Sequence, residues 1–323
     1  MNISLENIID RVNIDSIGTR DLTLSPEEFF MDTEGKLRLK NTDIRYDFND
    51  WSLSQACSSL GMPIRYERRL MDMNPLLLSK QFNYWKNMTD KPVLLRTKNS
   101  RIRGYLSTSY SIYNNSELCD TLKDISQNTD FGDPSSFYMD ERRFHIRFVI
   151  DSPIDAGKTV IGLNDILKTG VDITNSEVGA ASVSIVPMVY RLVCTNGLRA
   201  WRRNSESEQL SFRHSRKDTS QFHSLINGAI VSALDSNHEL LDKFIASKQI
   251  DVLDPNKIIE DLLTRNKFTQ TDIKNVQEEY ALEPDPTKYG IINAITGAAK
   301  KYGNEERLQM ESFAGKLLTL NVA

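Results

Sequence analysis

Histidine and cysteine are scarce in this chain of 323 residues, with four of the first and three of the second. His145, His214, His223 and His238 share no close spacing with Cys57, Cys119 or Cys194, and no CxxC or HExxH element occurs. That removes the ligand patterns by which zinc sites are recognised. Cysteines that are odd in number and far apart argue for reduced thiols in a reducing compartment. GxxxxGK[ST] is absent, and so is GxGxxG after a strand, which speaks against a nucleotide-hydrolysing engine. No cofactor and no metal are therefore expected. No uninterrupted apolar run approaches the roughly 18 residues of a membrane span. The opening MNISLENIIDRVNID lacks the basic-then-apolar form of a signal peptide. The expectation is a cytoplasmic protein with no membrane partner. Low-complexity tracts, heptad arrays and internal repeats are also missing.

What is present is an ordinary globular composition, 39% apolar and 26% charged. The length suits roughly two domains of about 150 residues each, enough for a full core without disulfides. Net charge is -4, but it is unevenly spread. Lys91, Arg96, Lys98, Arg101 and Arg103 follow one another with no acid between them. Arg199, Arg202, Arg203, Arg213, Arg216 and Lys217 form a second basic segment, and the chain after Thr219 is acidic on balance. Such asymmetry points to a local anion-binding face.

Residues 1–48 read as an irregular segment with a short helical turn and a strand or two. Residues 49–91 read as a helical subdomain of three short helices, DWSLSQACSSLG, PIRYERRLMDM and NPLLLSKQFNYWKNM, with Gly and Pro punctuating their ends. Residues 92–218 read as a β-rich core. PVLLRT and RIRGYLS flank a polar turn at Lys98-Asn99-Ser100 and form a hairpin, and SELCDTLKDISQ is a helix. SSFYMDERRFHIRFVI is the clearest hairpin, with Asp140-Glu141 near its tip and Phe144, Ile146, Phe148 and Ile150 alternating with polar neighbours. TVIGLNDIL and Val183–Thr195 are expected as further strands. Residues 219–323 read as helical, with a stripe through Phe222, Ile226, Ile230, Leu240, Leu241, Phe244 and Ile245. The class predicted is α+β: a central, mainly antiparallel sheet with an N-terminal helical subdomain and a C-terminal helical bundle.

RLVCTNGLRAW at Arg191–Trp201 concentrates a thiol, a hydroxyl, an amide and a glycine. Pairing of Cys194 with His214 or His145 would suit a nucleophile, but a free cysteine at a strand end is mostly a small buried apolar residue. Asn196-Gly197 reads as a corner that ends the sheet and aims Arg199, Arg202 and Arg203 outward. No catalytic residue is assigned. The acid pairs Asp140-Glu141 and Glu278-Glu279 read as solvated faces.

Three basic-aromatic clusters carry the functional reading. Arg96, Lys98, Arg101 and Arg103 are interleaved with Tyr105, Tyr110 and Tyr113. Arg142, Arg143 and Arg147 accompany Tyr138 and His145, and Arg199, Trp201, Arg202 and Arg203 form the third. Cations can hold phosphates while aromatic faces stack unpaired bases. One such cluster is ordinary surface solvation and packing. Three in one β-rich half point to nucleic acid.

RGYLSTSYSIYNNSEL, RLVCTNGL, the Arg-His element FRHS, and NAITGAAK followed by LQMESFAGKLL resemble the phage- and plasmid-like proteins of domain-of-unknown-function family 932. The resemblance runs from about Asn49 to the C-terminus. It implies a mobile-element protein working around DNA, and it supplies no catalytic residues. The leading expectation is thus a non-enzymatic nucleic-acid-binding protein of a phage or mobile element, single-stranded DNA favoured, acting in recombination or annealing as a homo-oligomer. Phosphate contacts fall to Arg96, Lys98, Arg101, Arg103, Arg142, Arg143, Arg199, Arg202 and Arg203, and stacking to Tyr105, Tyr110 or Trp201. The alternative is a protein-interaction factor acting on a host or defence protein, with Leu240, Leu241, Phe244 and Ile245 lining a partner groove.

Overall fold

The computed structural model describes residues 3–192, 196–199, 211, 212, 214 and 221–320. Its first helix, α1 (Leu5–Ser16), begins where Ser4 Oγ accepts a hydrogen bond from the Asn7 amide, and it buries Ile8 and Val12 one turn apart. β1 (Thr19–Leu24) follows, then three short strands, β2 (Phe29–Met31), β3 (Leu37–Leu39) and β4 (Arg45–Phe48). The three expected helices are α2 (Asp50–Ser59), α3 (Ile64–Met73) and α4 (Pro75–Lys86). The first hairpin is β5 (Val93–Lys98) and β6 (Arg101–Ser107), turning at Asn99, whose φ of 53° lies in the left-handed region that asparagine tolerates. These strands form a six-stranded sheet in the order β1-β5-β6-β4-β3-β2, parallel only between β4 and β6. Phe29, Leu37, Leu53, Phe82, Leu95, Ile102 and Tyr105 close its core.

α5 (Asn115–Ser126) leads into a second sheet made of β7 (Asp133–Met139), β8 (Phe144–Val149), β9 (Ile154–Lys158), β10 (Asn164–Asn175), β11 (Val183–Arg191), β12 (Asn196–Arg199) and β13 (Ser211–Phe212). The order is β12-β11-β10-β8-β7, with β9 on β10 and β13 on β11, and every pairing is antiparallel. Alternation gives this sheet two unlike faces. Phe144, Ile146, Phe148, Val171, Ile173, Val183 and Ile185 form the apolar face, which packs with Phe222, Ile226 and Ile230 of α6 (Phe222–Ala246). Each such phenylalanine, fully buried, contributes about 1.5–3 kcal/mol. The second half of α6 joins α7 (Pro255–Arg265), α8 (Gln270–Leu282), α9 (Lys288–Ala298) and α10 (Asn304–Leu317) around a further core. Leu240, Leu241 and Phe244 lie inside that core, with Ile245 partly buried against it, so the helical stripe is packing and not an open partner groove.

The class is α+β and mainly antiparallel, as expected. The single central sheet becomes two, because β5 and β6 pair with strands from the first 48 residues instead of with β7–β12. Residues 159–163, expected as strand, form the turn between β9 and β10, with Gly162 at φ 85°. The segment between β10 and β11 ties the halves together: Trp51 Nε1 and Gln55 Nε2 both donate to the Val178 carbonyl, at 2.9 and 2.8 Å. A Cβ on Gly104 would stand 3.3 Å from Val178, so that strand position favours a residue without one. No helix among the described residues is long and apolar enough to cross a membrane.

Candidate functional site

Strand geometry decides where each expected cation goes. In the middle of β5 and β6, Arg96 and Arg103 point inward and are almost fully buried. Arg96 Nε donates to Asp21 at 2.8 Å, Nη1 to the Glu177 carbonyl at 2.8 Å and Nη2 to Asn114 at 2.5 Å. Arg103 pairs with Glu177 at 2.8 Å. Tyr105 belongs to the first core and offers no free face. Tyr110 is stacked on His214, centroids 4.8 Å apart, and donates to the Ser176 carbonyl at 2.7 Å. Burial, with Arg96 nearby, pushes the His214 imidazole below its usual range despite its hydrogen bond to Ser111. At the ends of the same strands, Lys98 meets Asp15 at 2.5 Å and Arg101 meets Glu141 at 2.9 Å, the latter pair more than half exposed.

On the second hairpin Arg142 and Arg143 follow the tip and share Glu305 of α10, at 3.1 and 2.9 Å. The Arg142 guanidinium also lies over the Trp51 ring, 4.9 Å from its centroid. The tip is fixed by Asp140, which accepts from Tyr138 Oη and from the Arg142 and Arg143 amides. Burial works to raise the Asp140 carboxyl, and those donors together outweigh it and lower it.

Arg199 corrects the expectation most sharply. Asn196-Gly197 is no corner: it opens β12, which runs back along β11 with Tyr190 opposite Gly197. That pairing turns Arg199 inward to 6% exposure, where Nη1 donates to Ser312 at 3.0 Å. Its Nη2 stands 2.9 Å from Asp172 Oδ1 without the angle of a hydrogen bond. Trp201, Arg202, Arg203 and Cys194 lie outside the described residues.

Asp172, which the sequence reading missed, is the centre of the polar face of the second sheet. It is fully buried, with His145 Nε2 and Arg147 Nη2 each 2.8 Å from its Oδ2. Arg147 continues to Glu311 at 2.6 Å, and Arg307 Nε donates to Glu311 at 2.9 Å. Burial would raise the Asp172 carboxyl, but Arg199, His145 and Arg147 hold it far below the usual carboxylate range. The available signal was alternation: His145 and Arg147 fall on the face opposite Phe144 and Ile146, and β10 puts Thr174 and Asp172 across from them.

Two clefts open where these parts meet. One, of about 370 Å³, lies between the polar face and α10 and is lined by Tyr138, Arg143, His145, Thr174, Ser184 and Arg199, with Glu305 and Ser312 opposite. The other, of about 580 Å³, is lined by Asp15, Lys98, Arg101, Arg103 and Glu141. Asp140 borders both. Of the expected residues, Lys98, Arg101, Arg103, Arg143 and Arg199 are thus brought to two adjoining clefts, Arg142 stands at the rim through Glu305, and Arg96, Tyr105 and Tyr110 are withdrawn into packing. Among the described residues no group of three His, Cys, Asp or Glu side chains could hold a metal ion.

The model of the family described as Domain of unknown function (DUF932) matches residues 103–315, more than half of the chain and all of the second sheet. No curated protein and no solved structure matches it.

Proposed function

The chain therefore belongs to the DUF932 family, and from that premise and its own residues we propose a non-enzymatic nucleic-acid-binding protein, with single-stranded DNA the favoured ligand. The observation that carries the reading is the meeting of both hairpins at Asp140, which sets Lys98 and Arg101 in one cleft beside Arg142 and Arg143 at the mouth of the next. Their partners Asp15, Glu141 and Glu305 are at least two-fifths exposed. Solvated ion pairs of this kind contribute about 0–1 kcal/mol, so strand phosphates compete for these cations on favourable terms. Tyr138 at the cleft takes the stacking role first given to Tyr105 and Tyr110. A setting in a phage or plasmid, and self-association to extend a short site, belong to the same proposal; the first follows from the family resemblance alone. Titration of labelled single-stranded DNA tests the reading. Saturable binding at low salt that weakens steeply as salt rises supports it, and no binding at low salt rejects it.

A second reading, a protein-interaction factor, is favoured by a different surface. Tyr66 and Met73 of α3, Leu76, Leu77, Tyr84 and Trp85 of α4, and Met88 beyond it are exposed, Met73 to 70%. Arg65, Arg69 and Lys80 are exposed on the same two helices. Exposed apolar side chains interspersed with cations on two consecutive helices suit an acidic protein surface. A partner that stays bound after nuclease treatment and is lost on Arg65→Glu with Arg69→Glu would support it; loss on nuclease treatment alone would reject it.

A further inference from the structure

The cleft between the second sheet and α10 sits on an arginine-rich network. Linked through its lining are the guanidiniums of Arg142, Arg143, Arg147, Arg199 and Arg307. Against these five stand four carboxylates, those of Asp140, Asp172, Glu305 and Glu311. One positive charge is left over in this network, while the charged residues lining the cleft itself, Arg143 and Arg199 against Asp140 and Glu305, balance. Arg199, 94% buried by its 6% exposure, lines the cleft, and its Nε has no hydrogen-bond partner among the described residues. The buried Nε atoms of Arg142 and Arg143 are in the same state. Unpaired buried donors on charged groups are costly and call for a partner.

We propose that this cleft is a binding site for a phosphate monoester, seated on Arg199 and Arg143. Guanidinium forks match phosphate oxygens, and two of them approach from β12 and from the hairpin tip. Thr174, Ser184, Ser312 and Gln309 surround the remaining space with hydroxyl and amide groups. Glu305 holds Arg143 from a half-exposed position and gives way to the doubly charged ligand. At about 370 Å³ the cleft is far larger than a lone ion and lies in the range of small-ligand sites, so a nucleoside-sized group fits with its phosphate. The inference rests on the nucleic-acid reading only for the source of the ligand: a phosphorylated strand end and a free mononucleotide present the same chemistry.

The test uses the full chain in calorimetric titrations with a nucleoside monophosphate, and with oligonucleotides carrying either a 5′-phosphate or a 5′-hydroxyl. Binding of the monophosphate is expected, weakened about tenfold or more by Arg199→Gln and by Arg143→Gln. Arg143→Gln, at the more exposed mouth, decides the matter if Arg199→Gln does not fold. A preference of about tenfold for the phosphorylated strand end assigns that source, and equal strand binding with tight monophosphate binding assigns the free ligand. Strands that bind regardless of their ends, with no monophosphate binding, overturn the site and leave nucleic-acid binding standing. Monophosphate binding with no strand binding does the reverse.

Discussion

In the β5–β6 hairpin the cations at mid-strand, Arg96 and Arg103, run into the molecule and end on Asp21 and Glu177. In the β7–β8 hairpin those that follow the tip, Arg142 and Arg143, stand over a cleft and share one half-exposed glutamate. The division runs within each hairpin as well as between them. Arg147, two strand positions past His145, is buried on Asp172 and Glu311, and Arg101, the first residue of β6, is solvated. Within these two hairpins, position along the strand decides the role. There a strand interior packed on both faces makes an arginine part of the architecture, and the strand end or hairpin tip leaves it to the solvent and to ligands; Arg199, at the end of β12, is buried nonetheless.

The largest effect that could break this comparison is at Asp172. Asp172→Ala would leave Arg147, Arg199 and His145 without their shared carboxylate, and a loss of about 3–5 kcal/mol is expected in urea unfolding. A loss under about 1 kcal/mol would mean that the network is not structural. Next comes Arg96→Ala, expected to cost about 2 kcal/mol or more, since Asp21 keeps some solvent when its partner is removed. Arg101→Ala on the same hairpin should stay within about 0.5 kcal/mol. Equal costs at the two positions would erase the distinction.

The elements were largely legible in the sequence, and the division of roles among their arginines depended on pairings that no local pattern encodes. Three helices before the first hairpin, and α5 after it, fall where Asn, Pro and Gly punctuate apolar periodicity. The alternation of Phe144 to Phe148 already placed His145 and Arg147 on one face. Nothing in the sequence told which carboxylates would come to meet them, because Glu311 lies 164 residues from Arg147. Asn-Gly at 196–197 carries a turn signal, and tertiary pairing with β11 overrides it. The same pairing turns Arg199 from an expected surface cation into the floor of a cleft. Separation of the two sheets was hidden for a similar reason: β1 and β4, which claim β5 and β6, come from a segment with weak local signals.

Acid provides a smaller and sharper test. The folded-state Asp172 carboxyl is depressed, so its contribution is fully present above the unfolded value of about 3.9 and is lost as pH falls towards the folded value. Between those values one extra proton is bound on unfolding, a slope of about 1.4 kcal/mol per pH unit. Asp172→Asn should flatten the stability curve below about pH 4 by that one proton. An unchanged acid limb would show that this carboxyl is not held down in the folded protein.

The most direct measurement is the salt dependence of single-stranded DNA binding by the wild type, by Arg101→Ala with Arg143→Ala, and by Arg96→Ala. Each phosphate contact on a single strand contributes about 0.7 to the slope of log affinity against log salt, so the double variant should lose about 1.4. Arg96→Ala should keep the full slope provided it folds. A slope left intact by the double variant, or lost equally on Arg96→Ala, would contradict the assignment of strand-end arginines to the ligand and mid-strand arginines to the fold.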